Sequence, residues 1–234
     1  MIISVIGSGG KTTKIKQLKD QYLKEGKSVL MTTSTHMKIE EKTLVDPSYE
    51  EIINEIKKHG YVHAGGKAKN QKIKALDDEV LERLKKEIDV ILIEADGSHG
   101  LPLKYPRNNE PVVDKDSNEI ILITSLKGLG KPVQDVVHGY QEMKIDGNQK
   151  VDSLFIQQLI NIYLEKIKKY NVPIEIQVNE ASSLYEKALA SLLENQKEVT
   201  LINEEWFLPQ PKLVILGAGH VSQYVRSEEH TSEL

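Results

Sequence analysis

The chain lacks cysteine entirely, although it is 234 residues long. Zinc sites and iron–sulfur clusters held by thiolates are therefore excluded, and so is a cysteine nucleophile. A chain without cysteine suits a reducing compartment, so we expect a cytoplasmic protein.

Arginine and long apolar runs are also scarce. Three arginines accompany 28 lysines, and the formal net charge is −4. This balance argues against broad binding of nucleic acid. No apolar run approaches the length of a membrane span, so we expect neither nucleic acid nor a membrane as a partner. The hydrophobic content of 39% nevertheless suffices for a folded core.

Apolar runs and amphipathic stretches alternate along the chain. The runs predict strands at 2–6, 28–33, 90–93, 120–124 and 173–178. The amphipathic stretches predict helices at 12–25, 47–59, 76–87, 151–169 and 181–194. This alternation predicts an α/β fold, with a mostly parallel sheet and helices on both faces. In the second helix, Asp46 is the expected N-cap and Gly60 the expected terminator.

A glycine-rich turn, GSGGKTT, joins the first strand to the first helix. Backbone N–H groups of such a turn, with a helix N-terminus, favour phosphate binding. Lys11 is placed to reach the β- and γ-phosphates, and Thr12 to bind Mg²⁺. Val5 stands where the full Walker A spacing has glycine, and the shortened loop resembles that of Mur-type amino-acid ligases. The alternative is a glycine turn beside a surface lysine. The predicted nucleotide-binding residues are Gly7, Ser8, Gly9, Gly10, Lys11, Thr12 and Thr13.

Two carboxylates end the predicted strand VILIEAD. Glu94 and Asp96 are two residues apart, so both are expected on one side at the strand's carboxyl end, where parallel sheets bind ligands. One would hold Mg²⁺, and the other would orient or deprotonate a nucleophile. Which carboxylate has which role stays open, as does simple capping of the strand end. Together with Lys11, they are the candidate catalytic residues.

Two further segments offer candidate substrate or switch residues. TTSTHM, at the end of the second strand, contributes hydroxyls and a histidine, although a solvent-exposed strand end explains it equally well. The loop after Asp96 contains Lys104 and Arg107, which suit an anionic substrate or phosphate. A proline-rich surface connection is the alternative for this loop. The candidates from both segments are Thr33, Thr35, His36, His99, Lys104, Arg107 and Glu110.

Several motifs in order together resemble the YqeC family. They are GSGGKTT, TTSTHM, EADGSHGLPLKYP with NNEPVV, and GLGKPVQDVVH, and the resemblance covers about residues 1–203. It implies a P-loop NTPase fold and a role as an accessory protein of selenium-dependent molybdenum hydroxylases. The implied task is to prepare or insert the selenium-containing molybdenum cofactor. A molybdenum hydroxylase or a cofactor-synthesis protein is then the expected partner.

The chain departs from that family at the element that reads guanine. The family tends toward Asn-Lys-x-Asp after its late strand, whereas this chain has Asn179, Glu180, Ala181 and Ser182. Without the base-binding aspartate, ATP is favoured as the substrate, and GTP is the alternative.

The C-terminal stretch differs in character from the rest. We predict a nucleotide-binding domain over 1–205, then a linker and the start of a Rossmann-like unit over 206–225. KLVILGAGHVS resembles the start of the Rossmann domain of XdhC-like maturation factors, but too little of it is present to assign NAD binding. The last residues, 226–234, resemble translated sequencing adapter and are predicted to be an artefact.

Three functions are compatible with these patterns. The first is a Mg²⁺-dependent NTPase that assists synthesis or insertion of the molybdenum cofactor. The second is an ATP-dependent ligase or phosphotransferase acting on a small anionic acceptor. The third is a nucleotide-switched maturation chaperone with little catalysis of its own.

Overall fold

The structure is a computed structural model that describes residues 1–196, 200–202 and 205–207. Its strands are β1 (Ile2–Gly7), β2 (Val29–Thr33), β3 (His36–Lys38), β4 (Thr43–Val45), β5 (Tyr61–Lys67), β6 (Lys72–Lys74), β7 (Val90–Glu94), β8 (Leu103–Lys104), β9 (Glu119–Ser125), β10 (Val137–His138), β11 (Ile174–Asn179), β12 (Thr200–Ile202) and β13 (Glu205–Phe207). Its α-helices are α1 (Lys11–Lys24), α2 (Tyr49–His59), α3 (Asp78–Leu84), α4 (Val133–Val136), α5 (Ser153–Ile167) and α6 (Leu184–Glu194).

Nine of the described strands form one sheet. Its order is β11-β9-β1-β7-β2-β5-β6-β3, and β4 also pairs with β5. The pairs from β11 across to β5 are parallel, whereas β6 is antiparallel to both β5 and β3. The predicted α/β fold with a mostly parallel sheet is thereby confirmed. The short strands β3, β4 and β6 were not predicted.

The central strands are buried on both faces, as their continuous apolar sequences require. Ile3 and Val5 of β1 pack with Ile15 of α1 in one cluster of fully buried side chains. On β9, Leu122 lies with Leu159 of α5 around a small internal space. Because residues alternate between the two faces of a strand, α1 and α5 cover opposite faces of the sheet.

The start of α2 differs from the prediction. Ser48, not Asp46, is the N-cap, and it exchanges hydrogen bonds with Glu51 in a capping box. This arrangement satisfies two backbone N–H groups at once, which a cap at Asp46 would not achieve. Asp46 instead adopts a left-handed conformation with a φ of 57°. Gly60 ends the helix in a left-handed conformation, as expected.

The chain divides into two compact units, Met1–Lys197 and Glu198–Leu234. In the second unit, β12 and β13 form an antiparallel pair. Beyond Phe207, the predicted linker and Rossmann-like start at 206–225 lie outside the described residues, as does the stretch 226–234. Among the described helices, none has the length and apolar character needed to cross a membrane.

Candidate functional site

The glycine-rich loop between β1 and α1 requires glycine at its closest contacts. Gly9 and Gly10 have φ angles of 83° and 136°, which glycine adopts readily and other residues rarely do. A Cβ added at Gly10 would lie 2.4 Å from Asn179 Nδ2, and one at Gly9 would lie 2.5 Å from Ser125 Cβ. The loop is thus held tightly against the carboxyl ends of β9 and β11.

Side chains around the loop fix its shape. Asn179 Nδ2 donates to the Gly9 carbonyl at 2.9 Å, and the Ser8 hydroxyl donates to the Leu101 carbonyl. The Ser8 N–H is bonded to the Ile123 carbonyl at 2.8 Å. Gly10, the N-cap of α1, has no side chain to cap the helix. The first-turn N–H groups of α1 are therefore available to an anion.

The Lys11 side chain folds back over its own loop. It is 4% exposed, and its Nζ donates to the Gly7 carbonyl at 2.8 Å and to Ser98 Oγ at 3.3 Å. Burial lowers the pKa of Lys11, while the nearby carboxylates of Glu94 and Asp96 oppose that shift. An arriving phosphate would compensate this ammonium in the same way.

Glu94, at the end of β7, contacts both the start of α1 and the end of the neighbouring strand β2. Because β1 and β7 are adjacent and parallel, Glu94 pairs in register with Val5. Its Oε2 accepts the Thr12 hydroxyl at 2.9 Å, and its backbone carbonyl accepts the Thr33 hydroxyl at 2.7 Å. Burial raises the pKa of Glu94, and Lys11 and Thr12 oppose that shift. This carboxylate is 7% exposed and still lines the cleft described below.

Asp96 lies deeper than Glu94 and is fully enclosed. Its Oδ2 accepts the Gly7 N–H at 3.2 Å and the Tyr163 hydroxyl, and its Oδ1 accepts Lys104 Nζ. Lys104 is also buried and pairs with Glu110 at 2.8 Å. Burial and the Asp96 charge raise the pKa of Tyr163 well above its ordinary value, so its hydroxyl stays a neutral donor. Lys104, predicted to meet an anionic substrate, thus contacts two carboxylates of its own chain.

A cleft of about 980 Å³ opens in front of the loop. The candidate residues that line it are Gly9, Gly10, Lys11, Thr12, Thr13, Thr35, His36, Glu94, His99, Arg107 and Glu110. The candidates that do not line it are Gly7, Ser8, Thr33, Asp96 and Lys104. The sequence-based candidates therefore form two groups: residues that line the cleft, and residues behind them that support the cleft-lining residues.

Several residues of the site were not singled out from the sequence. Ser98 contacts Lys11, Tyr163 contacts Asp96, and His138 stacks on His99 with ring centroids 4.5 Å apart. Burial and the neighbouring His99 lower the pKa of His138. The pairing of β8 with β10 brings His138 to Lys104, a contact between distant segments that no local pattern signals.

The oxygen donors at the cleft suit Mg²⁺. Thr12 Oγ1 and the Glu94 carboxylate are hard oxygen ligands, and Mg²⁺ commonly combines one or two carboxylates with phosphate oxygens and water. Within the described residues, no cluster of three or more His, Cys, Asp or Glu side chains has the arrangement of a metal site.

Together these features define a class: a parallel α/β protein with a glycine-rich strand–loop–helix turn beside an acidic strand end. The model of the family described as YqeC protein matches residues 3–141. The chain is also 34% identical over 149 residues to a protein of Escherichia coli K12 called uncharacterized protein YqeC. That alignment covers 60% of this chain and 58% of the relative, so the chain spans less than two thirds of the relative's length. The chain belongs to the YqeC family.

Proposed function

We propose that this chain is a Mg²⁺-dependent nucleoside-triphosphate-binding protein and an NTPase that assists maturation of a selenium-containing molybdenum hydroxylase. One observation carries the nucleotide part of the proposal. The uncapped N-terminus of α1, the Lys11 ammonium and the Thr12–Glu94 pair all meet at one wall of the cleft.

The loop supplies the groups that hold phosphates. Gly9, Gly10 and the first turn of α1 line the cleft, so their backbone N–H groups would bind phosphate oxygens, and the helix dipole favours negative charge there. Lys11 would exchange its contacts with Gly7 and Ser98 for the β- and γ-phosphate oxygens. Since burial already disfavours its charge, this exchange also relieves part of the desolvation penalty.

Thr12 and Glu94 are the residues that would hold Mg²⁺. When bound, the ion neutralises charge on the phosphate oxygens and orients them. We assign the metal-side carboxylate to Glu94 because it lines the cleft, whereas Asp96 is fully buried. Asp96 is assigned a positioning role, since it binds the Gly7 N–H and so holds the loop.

ATP is the favoured nucleotide. Asn179, at the position where the family's guanine-reading element begins, donates to the Gly9 carbonyl. Glu180, Ala181 and Ser182 follow it, so the lysine and aspartate of that element are both missing. The chain therefore lacks the carboxylate that would select the guanine base of GTP, and we favour ATP.

The biological role rests on the family. The motifs GSGGKTT, TTSTHM and EADGSHGLPLKYP lie inside the matched residues 3–141. Their resemblance to accessory proteins of selenium-dependent molybdenum hydroxylases supports a role in preparing or inserting the molybdenum cofactor. The partner would be a hydroxylase or a cofactor-synthesis protein.

The test is a binding and hydrolysis panel with ATP, GTP, CTP and UTP, with and without Mg²⁺. The wild-type chain should bind ATP more tightly with Mg²⁺, and Lys11→Ala should weaken binding by at least about tenfold, or about 1.4 kcal/mol. Lys24→Ala, an exposed lysine at the other end of α1, is the matched control and should bind normally. If no triphosphate binds to the wild-type chain, the proposal is wrong.

A phosphotransferase or ligase is the second candidate, and one observation favours it. The cleft reaches beyond the loop to a group of lysines that the nucleotide-binding motif does not include. In that case hydrolysis should be slow with nucleotide alone and should accelerate when an anionic acceptor is supplied.

A further inference from the structure

Two short strands carry a dense set of cations into the cleft. In the antiparallel pair of β3 and β6, His36 lies opposite Lys74 and Lys38 lies opposite Lys72. The central residues of both strands, Met37 and Ile73, are buried. The four flanking residues therefore share the other face of the pair, and all four line the cleft. We call His36, Lys38, Lys72 and Lys74 the lysine face.

The lysine face is electrostatically unfavourable by itself. Like charges directly opposite each other on antiparallel strands destabilise the pair, and Lys38 and Lys72 are such neighbours. Lysines often protect an edge strand from aggregation, which would explain Lys38, because β3 is at the edge of the sheet. It does not explain Lys72 and Lys74, because β6 lies inside the sheet between β5 and β3.

The carboxylates of the cleft do not balance these lysines. Glu40 pairs with Lys16 at 2.6 Å, Glu94 accepts from Thr12, and Glu110 pairs with Lys104. Within residues 1–196, the ion pairs include none for Lys38, Lys72, Lys74 or the nearby Lys69. The cleft is thus lined by six cations and three carboxylates: Lys11, Lys38, Lys69, Lys72, Lys74 and Arg107 against Glu40, Glu94 and Glu110. Of these cations, Arg107 pairs with Glu142 outside the cleft at 3.0 Å.

The lysine face shares one cleft with the glycine-rich loop. The volume of about 980 Å³ is at the upper end of small-molecule sites, which span roughly 300–1,000 Å³. A space of that size has room for a second ligand beside a nucleotide. Lysine ammonium groups are compact point charges that bind phosphate oxygens without a fixed geometry, and a cluster of them suits a multiply charged anion.

We propose that the lysine face binds a second small molecule bearing one or more phosphate groups, next to the nucleotide. This inference rests on the proposed function, because it places the ligand beside a bound triphosphate. It would make the cleft a two-ligand site, with Lys38 and Lys72 as binding residues for the second one. The alternative is that these lysines bind the phosphates of the nucleotide itself. The experiment distinguishes a second phosphate-bearing ligand from the nucleotide.

The experiment uses the full chain and inorganic pyrophosphate as the probe. Calorimetric titration is performed on protein saturated with Mg²⁺ and a non-hydrolysable ATP analogue, so that the loop is occupied. Pyrophosphate should bind, and the double variant Lys38→Gln/Lys72→Gln should weaken it by at least about tenfold, or about 1.4 kcal/mol. Affinity for the ATP analogue should change by less than about twofold, because Lys11 and Thr12 are intact. Lys57→Gln/Lys86→Gln, which removes two exposed lysines outside the cleft, is the charge-matched control.

Three outcomes overturn the inference. If the Lys38/Lys72 variant loses affinity for the ATP analogue and the loaded wild-type protein does not bind pyrophosphate, these lysines serve the nucleotide. An equal loss in the control variant means general electrostatic attraction. Unchanged pyrophosphate binding in the Lys38/Lys72 variant means that the lysine face is not a binding site.

Failure of the proposed function is recognised separately. Pyrophosphate titration is repeated without nucleotide on Lys11→Ala and on Lys38→Gln/Lys72→Gln. If no nucleotide binds, yet pyrophosphate binding survives Lys11→Ala and is lost in the Lys38/Lys72 variant, the proposed function is wrong and the lysine-face site stands. If pyrophosphate binding is lost only with Lys11→Ala, the lysine face is not a site.

Discussion

The Thr12 hydroxyl donates to the Glu94 carboxylate at 2.9 Å, from the start of helix α1 to the end of strand β7. Thr12 belongs to the first turn of α1 and Glu94 to the last residue of β7. The contact therefore joins the phosphate side of the candidate site to its acidic side, and it places two oxygen ligands of the kind that Mg²⁺ prefers next to each other.

Replacing Thr12 should affect nucleotide binding only when Mg²⁺ is present. Thr12→Ala removes the hydroxyl, and we expect ATP affinity with Mg²⁺ to fall by at least about tenfold, while affinity without Mg²⁺ changes little. Thr12→Ser keeps the hydroxyl and should restore the Mg²⁺ effect. Titrations with and without Mg²⁺ measure both. Full Mg²⁺ dependence in Thr12→Ala would show that Thr12 is not a ligand.

Replacing Glu94 should stabilise the free protein while it disables the site. Burial raises the pKa of Glu94 above its ordinary value of 4.5, so the folded state binds this proton more tightly than the unfolded state. The stability from the protonated carboxyl is complete below that ordinary value and is lost as pH rises through the folded-state pKa. Glu94→Gln stays neutral, so its unfolding temperature should exceed that of the wild type only at the higher pH values.

The measurement is thermal unfolding over a pH series without nucleotide or Mg²⁺. Glu165→Gln, at a carboxylate whose side chain is 71% exposed, is the control and should follow the wild type throughout. The same Glu94→Gln protein should lose Mg²⁺-dependent ATP binding. A lower unfolding temperature for Glu94→Gln above the folded-state pKa would contradict the view that Glu94 is a functional carboxylate whose burial costs stability.

The central sheet was predictable from the sequence, whereas its edge was not. Strands β1, β7 and β9 are long apolar runs, and burial on both faces is what such runs predict. Strands β3 and β6 have three residues each, with one buried apolar residue in the middle. Their pairing depends on β5, where a Cβ at Gly65 would lie 2.6 Å from the Lys74 carbonyl oxygen. Strands of only three residues are too short to leave a periodic signal in the sequence.

The site divides in the same way. The loop around Lys11 and the strand end at Glu94 are local sequence patterns, so each of these two parts of the site could be located from the sequence alone. Lys104 is neutralised by Asp96 and Glu110, which are near it in the sequence, but its burial also involves Tyr163, a distant residue that contacts Asp96. A lysine in a polar loop is usually solvated, so the sequence predicts a substrate contact or a surface connection for Lys104 and does not predict its burial.

The burial of Lys104 predicts a large loss of stability on its replacement. Lys104→Met leaves the Asp96 and Glu110 carboxylates without their shared cation, and breaking a buried pair on one side lowers the free energy of unfolding by about 3–5 kcal/mol. Adding Asp96→Asn to this variant should recover part of the loss, because a neutral amide is cheaper to bury. Chemical denaturation measures both changes.

The control for this prediction is Lys168→Met. Lys168 pairs with Glu165 on the surface, and the two side chains are 69% and 71% exposed. An exposed pair of this kind contributes little, so stability should be almost unchanged. If Lys104→Met is as stable as the wild type but impaired only in activity, Lys104 contacts a substrate, as the sequence first suggested.

Gly10→Ala should damage the loop through geometry alone. The added Cβ would lie 2.4 Å from Asn179 Nδ2, and the φ of 136° at this position disfavours any side chain. Such strain is worth about 1–3 kcal/mol, and the Asn179 contact to the Gly9 carbonyl would be displaced. We therefore expect lower stability in denaturation experiments and a loss of ATP binding in titrations.

Gly97→Ala is the matched control for Gly10→Ala. A Cβ at Gly97 meets no heavy atom within 4 Å, so this variant should fold and bind ATP normally although Gly97 lines the same cleft. Adding Asn179→Ala to Gly10→Ala removes the clash but not the backbone strain, so stability should recover only in part. Normal ATP binding by Gly10→Ala would mean that phosphate does not approach this turn of the backbone, and the glycine-rich loop would lose its assigned role.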